Sequence, residues 1–98
     1  MEFSQVKRQV LTALRTGGFQ HAVRRGAIDE KNLLATGVVS AEFVSSVINR
    51  CTGADHRVSP HHQDAAVDVH ILVKQGWYVK FYFLEPDAVF ISVHRAYQ

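Results

Sequence analysis

The chain has 98 residues, of which 47% are hydrophobic and 20% are charged. This length leaves room for one domain only, residues 1–98, and the composition excludes a disordered chain. No apolar run approaches the roughly 20 residues that cross a membrane, and the first residues carry no signal-peptide hydrophobic segment. The single cysteine, Cys51, cannot close an intrachain disulfide, which favours a reducing compartment. We therefore expect a soluble, cytoplasmic protein with one hydrophobic core.

The net charge of +2 is unevenly distributed along the sequence. Residues 1–28 contain one acidic residue, Glu2, and five basic residues, namely Lys7, Arg8, Arg15, Arg24 and Arg25. A basic segment of this kind is typical of a protein that binds a polyanion such as nucleic acid. A solvated helix face has the same composition, so the charge leaves both interpretations open.

Hydrophobic spacing predicts a first helix over about residues 4–16, which two glycines follow as a stop signal. The apolar positions that recur there at helical spacing are Val6, Val10, Leu11 and Leu14. A second, short helix is predicted to start at Asp29 and to end before Gly37.

The clearest helix is predicted to begin at Ser40, whose side chain suits the N-cap position, and to end at Gly53. Its apolar stripe consists of Phe43, Val44, Val47, Ile48 and Cys51. Residues 54–64 are polar and contain Pro60, so they indicate a loop or an irregular edge segment.

From Ala66 onward the hydrophobic period changes to two, which predicts three consecutive β-strands. Gln75-Gly76 supplies a tight turn between the first two, and Glu85-Pro86-Asp87 supplies the second turn, so the strands should be antiparallel. The face expected to pack on the helices consists of Val67, Val69, Ile71, Val73, Trp77, Val79, Phe81, Phe83, Val89, Ile91 and Val93. The predicted fold is α+β, with N-terminal helices packed on a C-terminal antiparallel sheet.

The opposite face of this predicted sheet combines aromatic, imidazole and cationic groups. Its members are Asp68, His70, Tyr78, Lys80, Tyr82, Ser92 and His94. This mixture of side chains can stack bases and hold phosphates. The alternative is structural, with the two tyrosines packed beneath a loop and Lys80 merely solvated.

A second polar cluster lies in the segment before the first predicted strand. It consists of His56, Arg57, His61, His62, Gln63 and Asp64. Imidazoles and carboxylates are metal ligands, but this spacing matches no familiar helical ligand pair. Histidine also transfers protons near neutral pH, and we favour that role. A metal-binding regulator that uses His56, His61 and His62 stays an alternative, which a chelator-sensitive melting temperature would reveal.

Five short segments, taken in their order and spacing, carry a resemblance over nearly all of the chain. They are Ser4-Gln5-Val6-Lys7-Arg8, a middle helix after Gly37, Gln63-Asp64, Trp77-Tyr78-Val79-Lys80 and Ile91-Ser92-Val93-His94. In these segments the chain resembles the MqsR family of bacterial toxins, mRNA interferases of type II toxin-antitoxin systems with a RelE-like fold. The resemblance implies a metal-independent endoribonuclease without a cofactor, whose partners are mRNA and a cognate antitoxin protein. Dependence on the ribosome is left open.

The resemblance also assigns roles to individual residues. The family's catalytic glutamine and tyrosine fall on Gln63 and Tyr78. Its C-terminal lysine falls on His94, which is a departure, and Arg57 is the cation nearest to the place of its other lysine. We expect His94 and Tyr78 to transfer protons, and Arg57 to hold the phosphate. The residues expected to bind substrate are Lys80, His62, His70 and Tyr82.

The implied reaction is the attack of the 2′-hydroxyl of the RNA on the adjacent phosphorus, which leaves a cyclic phosphate and a 5′-hydroxyl. It requires a base, an acid and positive charge, and the residues above supply all three. The alternative is a non-catalytic RNA- or protein-binding module of the same fold. The two hypotheses differ at His94, because only the catalytic one predicts RNA cleavage that depends on this residue.

Overall fold

The computed structural model describes residues 1–22 and 31–96. The elements in chain order are α1 (Phe3–Thr16), β1 (Phe19–His21), α2 (Ala41–Arg50), a 3₁₀ turn (Gly53–Asp55), β2 (His56–Pro60), β3 (Asp68–Lys74), β4 (Trp77–Leu84) and β5 (Asp87–Arg95). The strands form one sheet in the order β1-β5-β4-β3-β2. β1 runs parallel to β5, and the other neighbouring pairs are antiparallel. The α+β prediction is confirmed.

The predictions for α1 and α2 are confirmed to within a few residues. At the start of α1 the Glu2 N–H donates to Oε1 of Gln5 over 3.0 Å, and the helix ends at Gly17, whose φ of 80° is left-handed. Ser40 caps α2 as predicted, since its Oγ accepts from the Phe43 N–H over 3.1 Å. The two helices bury one apolar stripe each, so amphipathic spacing is what determines them.

Lys7 joins the two helices. Its Nζ donates to the carbonyl oxygens of Asn49 and Cys51 over 2.9 and 3.0 Å, at the carboxyl end of α2. A cation at this end of a helix is favourable because the last carbonyl groups are unsatisfied and carry partial negative charge. This basic residue therefore has a structural role, and it does not support polyanion binding.

The predicted short helix before Gly37 is wrong over the part that the structure describes. Residues 31–37 are turns with an isolated parallel bridge between Asn32 and Val93. Asn32 is fully buried; its Nδ2 donates to the Phe90 carbonyl over 3.3 Å and its Oδ1 accepts from the Ala35 N–H over 3.0 Å. The Leu33 N–H and the Lys31 carbonyl bond to the backbone of Val93 in β5, so this segment pairs with the sheet instead of continuing as a helix. The predicted start, Asp29, lies outside the described residues, as do Arg24 and Arg25.

The sheet is larger than the predicted three-stranded meander. His56–Pro60, within the stretch interpreted as a loop or irregular edge segment, pairs with β3 as the edge strand β2. Phe19–His21 pairs with β5 at the other edge. Both added strands are short, with three and five residues, so neither gives a clear alternation in the sequence.

The side-chain alternation of β3 is opposite to the prediction. His70 pairs with Phe81 and Leu72 pairs with Val79, so these two β3 side chains lie on the face that the helices cover. Val69, Ile71 and Val73 point to the other face. Branched apolar side chains occupy both faces of this strand, so its own sequence does not determine its orientation, whereas pairing with β4 does.

A β-bulge changes the alternation along β5. Lys80 pairs with Ser92, but the next β4 residue, Phe81, pairs with Phe90, which leaves Ile91 as an extra residue. Phe90 and Val93 therefore lie on the same side of the sheet, and Ile91 does not. The predicted places of Ile91 and Val89 on the helix-packed face are therefore wrong, since Val89 pairs with Tyr82 of the open sheet face.

These pairings define two faces of the sheet. The helix-covered face carries His70, Leu72, Val79, Phe81, Phe83, Ala88, Phe90 and Val93, which pack against α1 and α2 in the core. The open sheet face carries Arg57, Ser59, Val69, Ile71, Val73, Tyr78, Lys80, Tyr82, Val89, Ser92 and His94. Among the described residues, no helix is long and apolar enough to cross a membrane.

Candidate functional site

The open sheet face brings together most of the side chains singled out in the sequence. Tyr78, Lys80 and Tyr82 alternate along β4, His94 comes from β5, and Arg57 comes from the edge strand β2. Residues two apart along a strand are about 7 Å from each other, and neighbouring strands are about 5 Å apart. These five side chains therefore share one continuous surface of nucleotide dimensions.

Tyr78 and His94 are in direct contact. They are register partners in β4 and β5, and their rings stack with centroids 4.9 Å apart and an interplanar angle of 15°. Both side chains are partly exposed. Two groups that the sequence analysis assigned to proton transfer therefore lie side by side and remain accessible to a substrate.

A short hydrogen bond determines which nitrogen of His94 is available. His94 Nδ1 lies 2.6 Å from the carbonyl oxygen of Arg95. A carbonyl oxygen only accepts, so Nδ1 carries the hydrogen and donates it. In the neutral ring Nε2 then has a free lone pair and can accept a proton.

Two cations lie in one row of the open sheet face. Arg57 pairs with Ile71, which pairs with Lys80, which in turn pairs with Ser92. Lys80 lies two residues from Tyr78 along β4, on the same face and about 7 Å away. Arg57 is exposed at the edge of the sheet, two strands and about 10 Å from Lys80. The row can neutralise a phosphate beside the stacked rings.

The loop after β2 folds back over the other end of the open sheet face. The His61 N–H donates to the Val67 carbonyl over 2.9 Å, and Oδ1 of Asp64 accepts from the Ala66 N–H over 3.1 Å, which closes the loop. The His61 ring meets Tyr82 edge-on with centroids 5.0 Å apart, and His62 stacks on His61 at 4.8 Å and 15°. The structural alternative for Tyr82 is thus partly confirmed, since a loop packs on it.

Gln63 lies in this loop and is exposed. Its backbone N–H donates to Nδ1 of His61 over 3.1 Å. None of the contacts described in the structure joins its side chain to Tyr78 or His94. The loop therefore places Gln63 near His61 rather than at the stacked pair.

His70 does not belong to this surface, and its predicted role in substrate binding is wrong. It lies on the helix-covered face, 3% exposed, in contact with Phe81 and Phe83. Its Nδ1 is 3.0 Å from Nε2 of His56. Burial, together with the nearby His56, lowers the pKa of His70 from 6.5 to about 4, so the ring is neutral at physiological pH.

The structure separates the three histidines of the metal-binding alternative. His56 pairs with His70 and stacks on Phe3 of α1 at 5.1 Å, so it belongs to the helix-covered side. His61 and His62 lie over the open sheet face. Within residues 1–22 and 31–96, no three histidine, cysteine or carboxylate side chains are grouped as metal ligands. The observed arrangement gives the metal hypothesis no ligand set.

The larger concavities lie elsewhere, on the helices. One of about 500 Å³ separates α1 from the turn at Glu85 and Pro86, and another of about 570 Å³ runs between α1 and α2. Arg8 lines both of them, but no histidine or tyrosine lines either. The two larger cavities therefore lack the residue types that we assign to proton transfer. We place the candidate site on the open sheet face, which has them.

The loop after β2, residues 61–67, is named the histidine loop after His61 and His62. A small cavity of about 90 Å³ lies between this loop and the sheet. It is lined by Ser59, Pro60, His61, His62, Val69, Lys80 and Ile91. Ile91 was not predicted on this side of the sheet, because nothing in the sequence marks the bulge that turns it. The contact of His61 with Tyr82 was not predicted either. Pro60 and Asp64 mark a turn in the sequence, but no local signal shows where the loop folds back.

Searches against family models, curated proteins and solved structures give no match to this chain. We therefore infer function from the geometry of the open sheet face and from the sequence segments that carry the resemblance.

Proposed function

We propose that the protein is a metal-independent endoribonuclease that cleaves mRNA, the toxin of a type II toxin-antitoxin system. The observation that carries the proposal is the accessible Tyr78–His94 stack, with Lys80 next along the same strand. A base, an acid and a cation on one face are the groups that cleavage by an internal 2′-hydroxyl requires.

In this mechanism His94 is the base. Its Nε2 takes the proton from the 2′-hydroxyl, and the 2′-oxygen attacks the adjacent phosphorus. The bond between phosphorus and the 5′-oxygen breaks, which gives a 2′,3′-cyclic phosphate. The leaving 5′-oxygen takes the phenolic proton of Tyr78 and becomes a 5′-hydroxyl. Solvent water then takes the proton that His94 gained and returns one to Tyr78, which restores both groups.

The cations stabilise the charge that builds up on the phosphoryl oxygens. Lys80 is adjacent to the stacked pair, and Arg57 extends the positive row toward the edge of the sheet. A charge-assisted hydrogen bond to an anion is about twice as strong as a neutral one. Removal of one such donor in comparable sites lowers turnover by about 100-fold or more.

The proposal also includes two macromolecular partners, mRNA as substrate and a cognate antitoxin protein as inhibitor.

The open sheet face is more apolar than the sequence predicted, since Ile71 and Val73 lie on it and Val73 is 40% exposed. Exposed aliphatic groups of this kind favour the second candidate function, a non-catalytic module that binds a partner through the same face.

Cleavage of a long mRNA by the purified protein in EDTA, with mapping of the new 5′ ends, tests the proposal. Discrete cuts at a recurring motif are expected, and the His94→Ala variant should cut at least about 100-fold more slowly with an almost unchanged melting temperature. Tyr78→Phe removes only the hydroxyl and keeps the stack, so it should also cut more slowly. Full activity of His94→Ala would overturn the mechanism. RNA that stays intact even with translating ribosomes would favour the binding module.

A further inference from the structure

Ser92 lies beside the residues of the proposed reaction. Tyr78 and His94 are register partners in β4 and β5, and the next pair on the open sheet face is Lys80 with Ser92. Opposite side chains of neighbouring strands are about 5 Å apart, and residues two apart along one strand are about 7 Å apart. The four side chains therefore mark the corners of a rectangle, and a single phosphate group above it can reach all of them.

Ser92 has the shortest of these four side chains, so it leaves a depression between longer ones. The stacked rings of Tyr78 and His94 stand at one end, and Lys80 stands opposite Ser92. The β-bulge turns Ile91 to the same side of the sheet, which adds an apolar wall beside the serine. A hydrogen bond to an anion is stronger where apolar groups exclude water, so this depression favours a bound phosphate.

The two polar groups of the Lys80–Ser92 pair are not engaged by the rest of the protein. Within residues 1–22 and 31–96, no hydrogen bond or ion pair occupies the Lys80 ammonium or the Ser92 hydroxyl, and the two groups do not bond to each other. Neither group is sealed from solvent, because no buried polar side-chain atom in these residues lacks a partner. Two neighbouring, accessible donors of this kind can both bond to one anion.

We propose that Ser92 is a phosphate-binding residue of the reaction. Its hydroxyl donates a hydrogen bond to one oxygen of the phosphoryl group, and the Lys80 ammonium donates to another. The inference rests on the proposed function in taking RNA as the ligand. Negative charge on these oxygens grows as the 2′-oxygen attacks, so the hydrogen bond from Ser92 is stronger in the transition state than in the bound substrate. Ser92 therefore contributes to kcat more than to KM.

Ser92→Val and Ser92→Thr test the role of the hydroxyl. The two replacements have the same branched shape and both suit a β-strand, but only threonine keeps a hydroxyl group. Ser59→Val is the matched control. Ser59 is half-buried on the open sheet face, as Ser92 is, but it lies on the edge strand β2, where it pairs with Val69.

Cleavage of RNA in EDTA gives kcat and KM for each variant. Ser92→Val should lower kcat by about 10- to 100-fold and raise KM by a smaller factor, whereas Ser92→Thr and Ser59→Val should stay within about 3-fold of the native protein. Melting temperatures check that every variant is folded. Equal kcat values for Ser92→Thr and Ser92→Val, whether native or reduced, would overturn the proposal.

Binding of a short 2′-deoxy oligonucleotide, which cannot be cleaved, separates this inference from the proposed function. Ser92→Val should bind it about 3- to 10-fold more weakly than Ser92→Thr, with an unchanged dependence on salt because no charge is removed. A protein that cuts RNA with equal kcat in the two variants contradicts the assignment of Ser92 and leaves the nuclease proposal intact. A protein that cuts nothing but shows this difference in affinity supports the phosphate contact and contradicts the nuclease.

Discussion

The two faces of the sheet place the same residue type in opposite environments. On the helix-covered face, His70 is 3% exposed and bonded to His56, and burial keeps it neutral. On the open sheet face, His94 stacks on Tyr78 and remains partly exposed, with Nε2 available. A histidine in a β-strand thus contributes to packing or to chemistry according to the face on which the strand register places it.

A shift of one residue in strand register is enough to exchange the two roles. Because successive side chains of a strand alternate, a one-residue shift of β3 would exchange His70 with Val69 or Ile71. The register holds because Leu72 and Val79 pair in the core beneath the helices. Packing on one face therefore determines which chemical groups the other face presents.

Phe81→Ala should have the largest effect on stability. Phe81 is fully buried on the helix-covered face and contacts Phe90 and Phe83. Deletion of a buried phenylalanine side chain costs about 3–5 kcal/mol, which in a domain of this size lowers the melting temperature by about 15 °C or more. Thermal unfolding measures the effect, and Lys80→Ala, one residue earlier in β4 on the open sheet face, is the control. Similar melting temperatures of the two variants would contradict the assignment of the faces.

His70→Gln should weaken the dependence of stability on pH. The pKa of His70 is about 4 in the folded protein and 6.5 in its ordinary state, so between these values the unfolded chain binds more protons. The contribution of His70 is complete above pH 6.5 and is lost as the pH falls toward 4. We expect the free energy of unfolding to fall by about 2 kcal/mol from this source between pH 7 and pH 4.5.

Urea unfolding at several pH values measures this dependence in the native protein, in His70→Gln and in the matched control His62→Gln. The His70 variant should lose stability less steeply with acid, whereas the His62 variant, at an exposed position, should follow the native curve. An equally steep loss in all three proteins would contradict the role of the buried pair.

Of these three substitutions, Lys80→Ala should have the smallest effect on stability, and its effect on RNA binding should appear in the salt dependence of the affinity. Removal of one phosphate contact to a single strand reduces the slope of log affinity against log salt by about 0.7. The affinity of an uncleavable oligonucleotide, titrated from low to high salt, measures the slope. Lys74→Ala changes the net charge equally, but Lys74 pairs with Asp55 at 3.3 Å on the other face, so its slope should stay native. Equal slopes for the two variants would show that binding responds only to net charge.

Local sequence patterns correctly predicted the helices, caps and turns whose structure depends on residues close together in the chain. The helical spacing of Val6 and Val10, the Ser40 cap and the Gln75-Gly76 turn each determine structure over a few neighbouring residues. The alternation of β4 is also unambiguous, because Val79, Phe81 and Phe83 on one face have no polar group, whereas every side chain between them on the other face does. Tyr78, Lys80 and Tyr82 were therefore placed on the correct face.

Other features depend on pairing between distant segments. Nothing near Ile91 marks the bulge in β5, and nothing near His70 shows that β3 turns this side chain toward the helices, since both faces of that strand are apolar. For the same reason β1 was not predicted and β2 was predicted only as a loop or an irregular edge segment, because strands of three to five residues gain their structure from a neighbouring strand.

The sequence by itself determined an α+β chain with two amphipathic helices, a hairpin-linked set of strands, and a tyrosine and a histidine that share one side of the sheet. Only the tertiary structure decided that these two rings stack, that His70 is part of the core, and that the histidine loop closes over Ile91 to form a small cavity. The physical reason is the range of the forces involved. Caps, turns and hydrophobic periods act within a few residues, whereas register, burial and the contacts between loops and strands depend on which distant segments pack together.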